Sequence, residues 1–148
     1  MDHLTKEQRS RNMSRVHGKD TKPEMVVRSF LHRQGFRFRL HAKDLPGHPD
    51  IVLPKYRTVI EVRGCFWHRH QGCKKATMPA SNNTFWHDKL QQNAERDVKN
   101  DSALTALGWR VIVVWECQLR NRETLLQLPD LISLRNKKEM ETIEWSKK

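Results

Sequence analysis

Residues 109–116 read Trp109-Arg110-Val111-Ile112-Val113-Val114-Trp115-Glu116. This dense β-branched and aromatic run, too short for a helix, predicts a strand. The stretch before it carries Trp86, Leu90, Ala94 and Val98 on one helical face. Leu104 and Leu107 continue it to a Gly108 stop, so a helix capped by Asn83 or Thr84 leads into the strand. A strand reached through a helical crossover can pair in parallel with an earlier one. Upstream, Asp20-Thr21-Lys22-Pro23-Glu24 supplies a cap, an early proline and a first-turn acid. Val26 with Phe30 and Val27 with Leu31 form the buried stripe of a first helix, and Gly35 ends it. Phe36, Phe38 and Leu40 then alternate with Arg37 and Arg39 as a half-buried strand. Asp50–Leu53 and Thr58–Val62 are two further strands, and Glu123–Arg135 is a helix interrupted by Pro129. Helix, three strands, helix, strand and helix make an α/β domain with a mixed sheet.

The 148 residues fit one domain. The longest apolar run, Val111–Trp115, has five residues, against the roughly 20 of a membrane helix. The first residues lack the apolar core of a signal peptide, so the expected location is the cytoplasm. Lys and Arg total 28 against 17 acids, for a net charge of +11. Such an excess suits a polyanion, because each phosphate contact releases counterions, although a solvated basic face has the same composition. Residues 1–40 hold ten Lys/Arg and four acids. Within them, 1–19 is polar and basic and is expected to be an arm, 20–135 the folded domain and 136–148 a polar tail.

Residues 65–82 show no period, and a loop of that length needs an outside constraint. Cys65-x4-His70-x2-Cys73, with Cys117 after the long strand, offers three thiols and one imidazole. Zinc takes such a tetrahedral set, and four protein ligands leave no open position, the mark of a structural metal. Plain burial of Cys117 is the alternative, and His68 is the competing imidazole.

Pro49-Asp50 opens one strand, and Glu61-Val62-Arg63 closes the next. Side chains alternate across a sheet, so Glu61 and Arg63 share one face. With Asp50 on the same face, two carboxylates and a cation converge, a set that can hold Mg²⁺ and support phosphodiester cleavage. The pattern resembles the PD-(D/E)xK nuclease motif, with Arg63 in place of the Lys. An ion pair between Glu61 and Arg63 at the surface is the bland reading.

Gly64-Cys65-Phe66-Trp67-His68-Arg69-His70 is far more specific, combining ligand residues with two adjacent aromatics and an extra His. It resembles the signature of the Vsr endonucleases. Agreement extends through Arg9–Met13, Leu45–Asp50, Phe85-Trp86, Lys89, Asn93–Asp97 and Leu107–Cys117, and covers about residues 9–122. The resemblance implies a restriction-endonuclease-like core, a mixed sheet flanked by helices, with a structural zinc site at Cys65, His70, Cys73 and Cys117. It implies Mg²⁺ on Asp50 and the Val62 carbonyl, His68 as general base or water-positioning group, and Glu24 as a carboxylate supporting the metal site. A helix-dipole acid is the alternative for Glu24.

Phe66, Trp67 and Trp86 match aromatics wedged into the base stack, Met13 matches part of the arm, and Arg15 and Lys89 are the accompanying DNA contacts. A T:G wobble stacks less tightly than a paired base, so wedging costs less there. Three departures stand out. His70-x2-Cys73 is one residue longer than the family's His-x-Cys, Glu61 replaces an apolar residue, and Val62-Arg63 replaces a Thr-His pair. That last change leaves His68 as the only imidazole expected on the active-site face.

The implied activity is a Mg²⁺-dependent nick beside the thymine of a T:G mismatch arising from 5-methylcytosine deamination. The implied setting is a monomer at the bacterial nucleoid, with a cytosine-5 methyltransferase and mismatch-repair proteins as partners. A restriction-type double-strand nuclease on the same fold and a non-catalytic, zinc-stabilised DNA-binding module are the competing functions.

Overall fold

The computed structural model of the chain describes residues 20–133 and 143–144. The expected arm, with Met13 and Arg15, and most of the expected tail lie outside the described residues. The first helix, α1, spans Lys22–Arg33, and Thr21 caps it by accepting a hydrogen bond from the Glu24 N–H at 3.3 Å. Its buried stripe is Glu24, Val27, Phe30 and Leu31. Val26, expected in that stripe, is 44% exposed, because the three- and four-residue steps from position 24 pass over it.

Strand β1 is only Arg39–Leu40, β2 is Ile51–Leu53 and β3 is Thr58–Arg63. The expected strand over 36–40 is shortened because three-residue β2 provides rungs for Arg39 and Leu40 alone. Phe36 and Phe38 still pack against the core, as their alternation predicts. Helix α2 runs Asn83–Ala106, β4 Arg110–Trp115, α3 Arg122–Ser133 and β5 Ile143–Glu144. Pro129 lies inside α3, and the helix continues through it.

The described strands form one sheet in the order β1-β2-β3-β4-β5. β1, β2 and β3 pair antiparallel, whereas β3 and β4 pair in parallel with Ile60 beside Ile112. The α2 crossover makes this parallel pairing possible, and the mixed sheet follows. Both faces of the sheet are covered, so β4 is buried along its whole length and reads as an unbroken apolar run. On one face, Ile51, Ile60, Ile112 and Val114 meet Val27 and Leu31 of α1 and Leu128 and Ile132 of α3. On the other, Val52, Val59, Val111 and Val113 meet Leu104, at the end of α2. Buried Arg110 donates to the Thr58 hydroxyl and to the Ile132 carbonyl, fastening the C-terminal turn of α3 to the sheet.

The inner face of α2 departs from expectation. Leu90 and Leu104 are its buried residues, while Val98 is 68% and Leu107 54% exposed. Between the two leucines the half-buried positions include Ala94, as expected, but also Asn93, Asp97, Asn100 and Asp101, spaced three and four apart. The helix therefore turns a polar stripe toward the sheet, and that stripe lines a cleft. Ile112, fully buried in the first cluster, sets the stability of this frame. Ile112→Ala is expected to cost about 3 kcal/mol in urea unfolding, the scale for deleting a buried Ile side chain.

Candidate active site and metal cluster

Asp50 precedes β2 and lies opposite Glu61 of β3 in the register set by Ile51 and Ile60. The alternation puts Asp50, Glu61 and Arg63 on one face, beneath the polar stripe of α2. A cleft of about 590 Å³ opens there, lined by these three residues with His41, His68 and Asp97 among others. The Val62 N–H donates to Asp50 Oδ2 at 2.8 Å, and the Asp50 N–H donates to Glu61 Oε1 at 3.4 Å.

Seclusion from water raises both acids. Burial, with the nearby Glu24 adding to it, pushes the Asp50 carboxyl up to about 6 against the Val62 N–H and the imidazoles of His41 and His68. Burial, and then the Asp50 charge, push Glu61 up to about 8 despite Arg63. The pair thus retains protons near neutrality that isolated carboxyls have lost.

The bland alternative, a surface pair between Arg63 and Glu61, does not describe Arg63. It is buried, and its guanidinium donates to both Asp101 oxygens at 2.7 and 2.9 Å. Burial opposes its charge, yet Asp97 and Asp101 outweigh that and raise its pKa. His68 Nδ1 lies 2.6 Å from Asp97 Oδ2 and therefore faces the cleft side rather than the thiols.

His68 is not the only imidazole in the cleft. His41, from the connection between β1 and β2, also lines it, with Nε2 at 2.8 Å from Glu24 Oε2. Glu24 is 1% exposed and also accepts from the Asp20 N–H and Arg28. A solvated helix-dipole acid does not describe this residue. Asp97, Asp101 and His41 were not singled out from sequence, although the 90–93–97–101–104 spacing on α2 carried a signal for two of them. Gly47 closes the rim at φ +73°, where a Cβ would meet the Asn100 amide at 2.8 Å, so only glycine fits.

On the far side of Arg63 the four cluster residues converge. The ligand atoms of Cys65, His70, Cys73 and Cys117 all lie within 4.8 Å of one another, so the set could hold a metal ion. His70 Nδ1 is 3.6 Å from Cys65 Sγ and 3.5 Å from Cys117 Sγ. The His70 ring stacks on Trp115 at 4.1 Å and 8°, which fixes its plane. Burial pushes the Cys65 thiol up to about 12, so a cation is what would bring it to the thiolate form.

Phe66, Trp67 and Trp86, from the loop of His68 and the helix of Asp97, meet as a half-buried aromatic group with centroids 5.1 to 5.8 Å apart. Neither adjacent aromatic is fully buried. The Asn93 amide donates to the Trp67 carbonyl at 3.2 Å, tying this group to α2. Phe85, 61% exposed, extends it outward, and Lys89 is exposed one turn along the helix from Trp86.

The fold and cleft define an α/β protein with paired acids and imidazoles for proton-transfer chemistry, beside a separate thiol-rich cluster. Comparison with known proteins narrows this class. The family model described as DNA mismatch endonuclease Vsr matches residues 1–75. The chain is 50% identical over 121 residues to the type II nicking enzyme V.NmeAIP of Neisseria meningitidis, covering 82% of this chain and 86% of that one. It is 52% identical over 118 residues to the type II nicking enzyme V.XorIIP of Xanthomonas oryzae, covering 80% and 86%. With the DNA mismatch endonuclease Vsr of Escherichia coli it shares 47% over 117 residues, 79% and 74% of the two chains. The chain belongs to the Vsr DNA mismatch endonuclease family.

The raised acids have a consequence for stability. Their folded pKa values lie above the usual 3.8 and 4.5. The stability they contribute is therefore complete below about pH 4 and is lost as pH rises through about 6 and then about 8. In buffer without added divalent cations, the thermal midpoint is expected to fall between pH 5 and 9. Glu61→Gln is expected to flatten the upper half of that decline and raise the midpoint at pH 8.5, read by calorimetry.

Proposed function

We propose that this protein nicks one strand of duplex DNA beside the thymine of a T:G mismatch, such as 5-methylcytosine deamination leaves, and so starts very short patch repair. The observation that carries the reading is the cleft itself. Asp50 and Glu61 sit side by side beneath the His68–Asp97 pair, with the aromatic group of Phe66, Trp67 and Trp86 beside them on the same loop and helix.

In this mechanism Asp97 holds His68 Nδ1, which leaves Nε2 to accept the proton of the attacking water. Asp50 and the Val62 carbonyl are the residues that would hold Mg²⁺, and their hard oxygen donors suit it. Bound there, that ion supplies the charge that neutralises the phosphorane-like transition state. Glu61 is a second carboxyl at the same site, and Glu24 supports it through His41. Arg63 keeps Asp97 and Asp101 compatible with each other. Phe66, Trp67 and Trp86 enter the base stack, where the wobble pair lowers the cost of wedging. Lys89, and Met13 and Arg15 of an arm over 1–19, contact the DNA.

We assign zinc to Cys65, His70, Cys73 and Cys117. Zinc–sulfur bonds near 2.3 Å and zinc–nitrogen bonds near 2.0 Å give a tetrahedral S···N edge of about 3.5 Å. The observed 3.5 and 3.6 Å agree with that edge. The set has no open position, so its role is structural. The rest of the reading is a restriction-endonuclease-like core over 20–135 with a polar tail over 136–148, acting as a monomer at the bacterial nucleoid in the cytoplasm. A cytosine-5 methyltransferase and mismatch-repair proteins are the partners. No helix among the described residues is long and apolar enough to cross a membrane.

The Asp50–Glu61 pair also favours a second reading, a restriction-type enzyme that cuts both strands of an unmismatched site. One screen separates the two. Incubated with matched and T:G duplexes in many sequence contexts, the protein is expected to nick only mismatched duplexes, and double-strand cleavage of matched DNA would select the second reading. Asp50→Asn is expected to lower nicking by about 1,000-fold or more, the scale of several kcal/mol of lost charge stabilisation, while DNA binding persists. Equal cutting by this variant would remove Asp50 from the mechanism. Elemental analysis is expected to find about one zinc per chain, and Cys117→Ser to lose it together with thermal stability.

A further inference from the structure

Three imidazoles line the cleft, those of His41, His48 and His68, and two of them are held by carboxylates. His68 approaches Asp50 from the β3 and α2 side, held by Asp97. His41 approaches from the β1 side, where its backbone N–H donates to the Asp50 carbonyl at 3.1 Å and Nε2 meets Glu24 at 2.8 Å. Both imidazoles are near enough to act on the Asp50 charge.

Two features set His41 apart from a side chain that merely satisfies a buried acid. Glu24 already has a donor on each oxygen, the Asp20 N–H on Oε1 and Arg28 on Oε2, both at 3.0 Å. The third donor is thus in excess of what its burial requires. The backbone of His41 also stands at φ +47°, in the left-handed region. That conformation costs a non-glycine residue roughly 1–2 kcal/mol and persists only where surroundings enforce it. Here it holds the ring on the wall of the cleft.

The cleft has need of such a group. Asp50, Glu61 and Asp97 all face it, and the guanidinium of Arg63 is engaged by Asp101. A phosphodiester entering this space has Lys43 and the imidazoles of the lining among the groups able to donate to its oxygens. In-line displacement also places the attacking and leaving oxygens on opposite sides of phosphorus, and His41 and His68 approach Asp50 from different elements.

We propose that His41 is a further DNA-contacting residue. With Nε2–H donated to Glu24, His41 takes part as the imidazolium and its Nδ1–H donates to an oxygen of the scissile phosphodiester, across Asp50 from His68. Glu24 and Arg28 are then positioning residues that act through His41. The inference rests on the reading of this cleft as the site of strand cleavage.

Two substitutions separate contact from scaffold. Gln at 41 puts an amide nitrogen near the place of Nε2, keeping Glu24 bonded and removing Nδ1. Asn puts one near the place of Nδ1 and gives up Glu24. In single-turnover nicking of a T:G duplex, His41→Gln is expected to be slower by about 100-fold, the scale of one lost contact to developing charge. His41→Asn is expected to retain more activity than His41→Gln, and the DNA Kd of both to stay within about threefold of the parent. A scaffold role reverses the order, with His41→Gln fully active, and overturns the proposal.

The second measurement does not depend on cutting. With imidazole-¹⁵N-labelled protein and a non-cleavable phosphorothioate duplex, the His41 Nδ1 resonance is expected to shift on binding. A resonance that stays in place overturns the contact. If the parent nicks nothing yet the resonance moves, the mismatch-nicking reading fails and the contact stands.

Discussion

One buried guanidinium makes the cleft possible. Asp97 and Asp101 are four residues apart on α2 and face Asp50 and Glu61 on the sheet, so four carboxyl groups crowd one space. Like charges at this helical spacing repel even in water, and seclusion strengthens the repulsion. Arg63 enters from β3, bonds Asp101 through both oxygens and is stabilised in its charged form by Asp97 as well. Helix α2 can therefore lie against the sheet with a polar inner face. Asp97, kept compatible with its neighbour in this way, is free to orient His68. Removing the cation would leave the helix pressing acid against acid.

The sheet and its helices were legible because their signals are about burial. The unbroken apolar run at 111–115 belongs to a strand covered on both faces, and the caps around Thr21 and Pro23 announced α1. The four metal-ligand candidates were legible for another reason. Thiols and an imidazole at irregular spacing in a loop have few other uses, and the fold brings all four together.

What was not legible is the part that works against the usual code. Apolar spacing predicts Val98 on a buried face, whereas the residues that turn toward the sheet are Asn93, Asp97 and Asp101. Glu24 reads equally well as a surface acid at a helix start, and only the arrival of His41, 17 residues away in the chain, explains its burial. Sequence offers Arg63 either as the cation of the Asp50–Glu61 site or as a surface partner of Glu61, but its partner lies 38 residues on. Such contacts are made between elements, and no local pattern encodes them.

The cluster and the cleft share one loop, and this bears on what a metal held by the cluster would contribute. Ordering a residue costs about 1–2 kcal/mol, so the 18 residues from 65 to 82 need an anchor of order 10 kcal/mol or more. A zinc site of four protein ligands contributes about that much, whereas a loop with so few aliphatic side chains cannot. The anchor also has a location as well as a magnitude. His68 sits between Cys65 and His70, and Phe66 and Trp67 occupy the positions just before it. Fixing the two ligands confines the three residues between them that carry the proposed base and wedge. A hydrophobic anchor elsewhere in the loop would steady the chain but leave these side chains free to rotate away from Asp97 and Trp86. The thiol cluster is therefore the shortest mechanical link between a stable core and an imidazole that must face a carboxylate cleft.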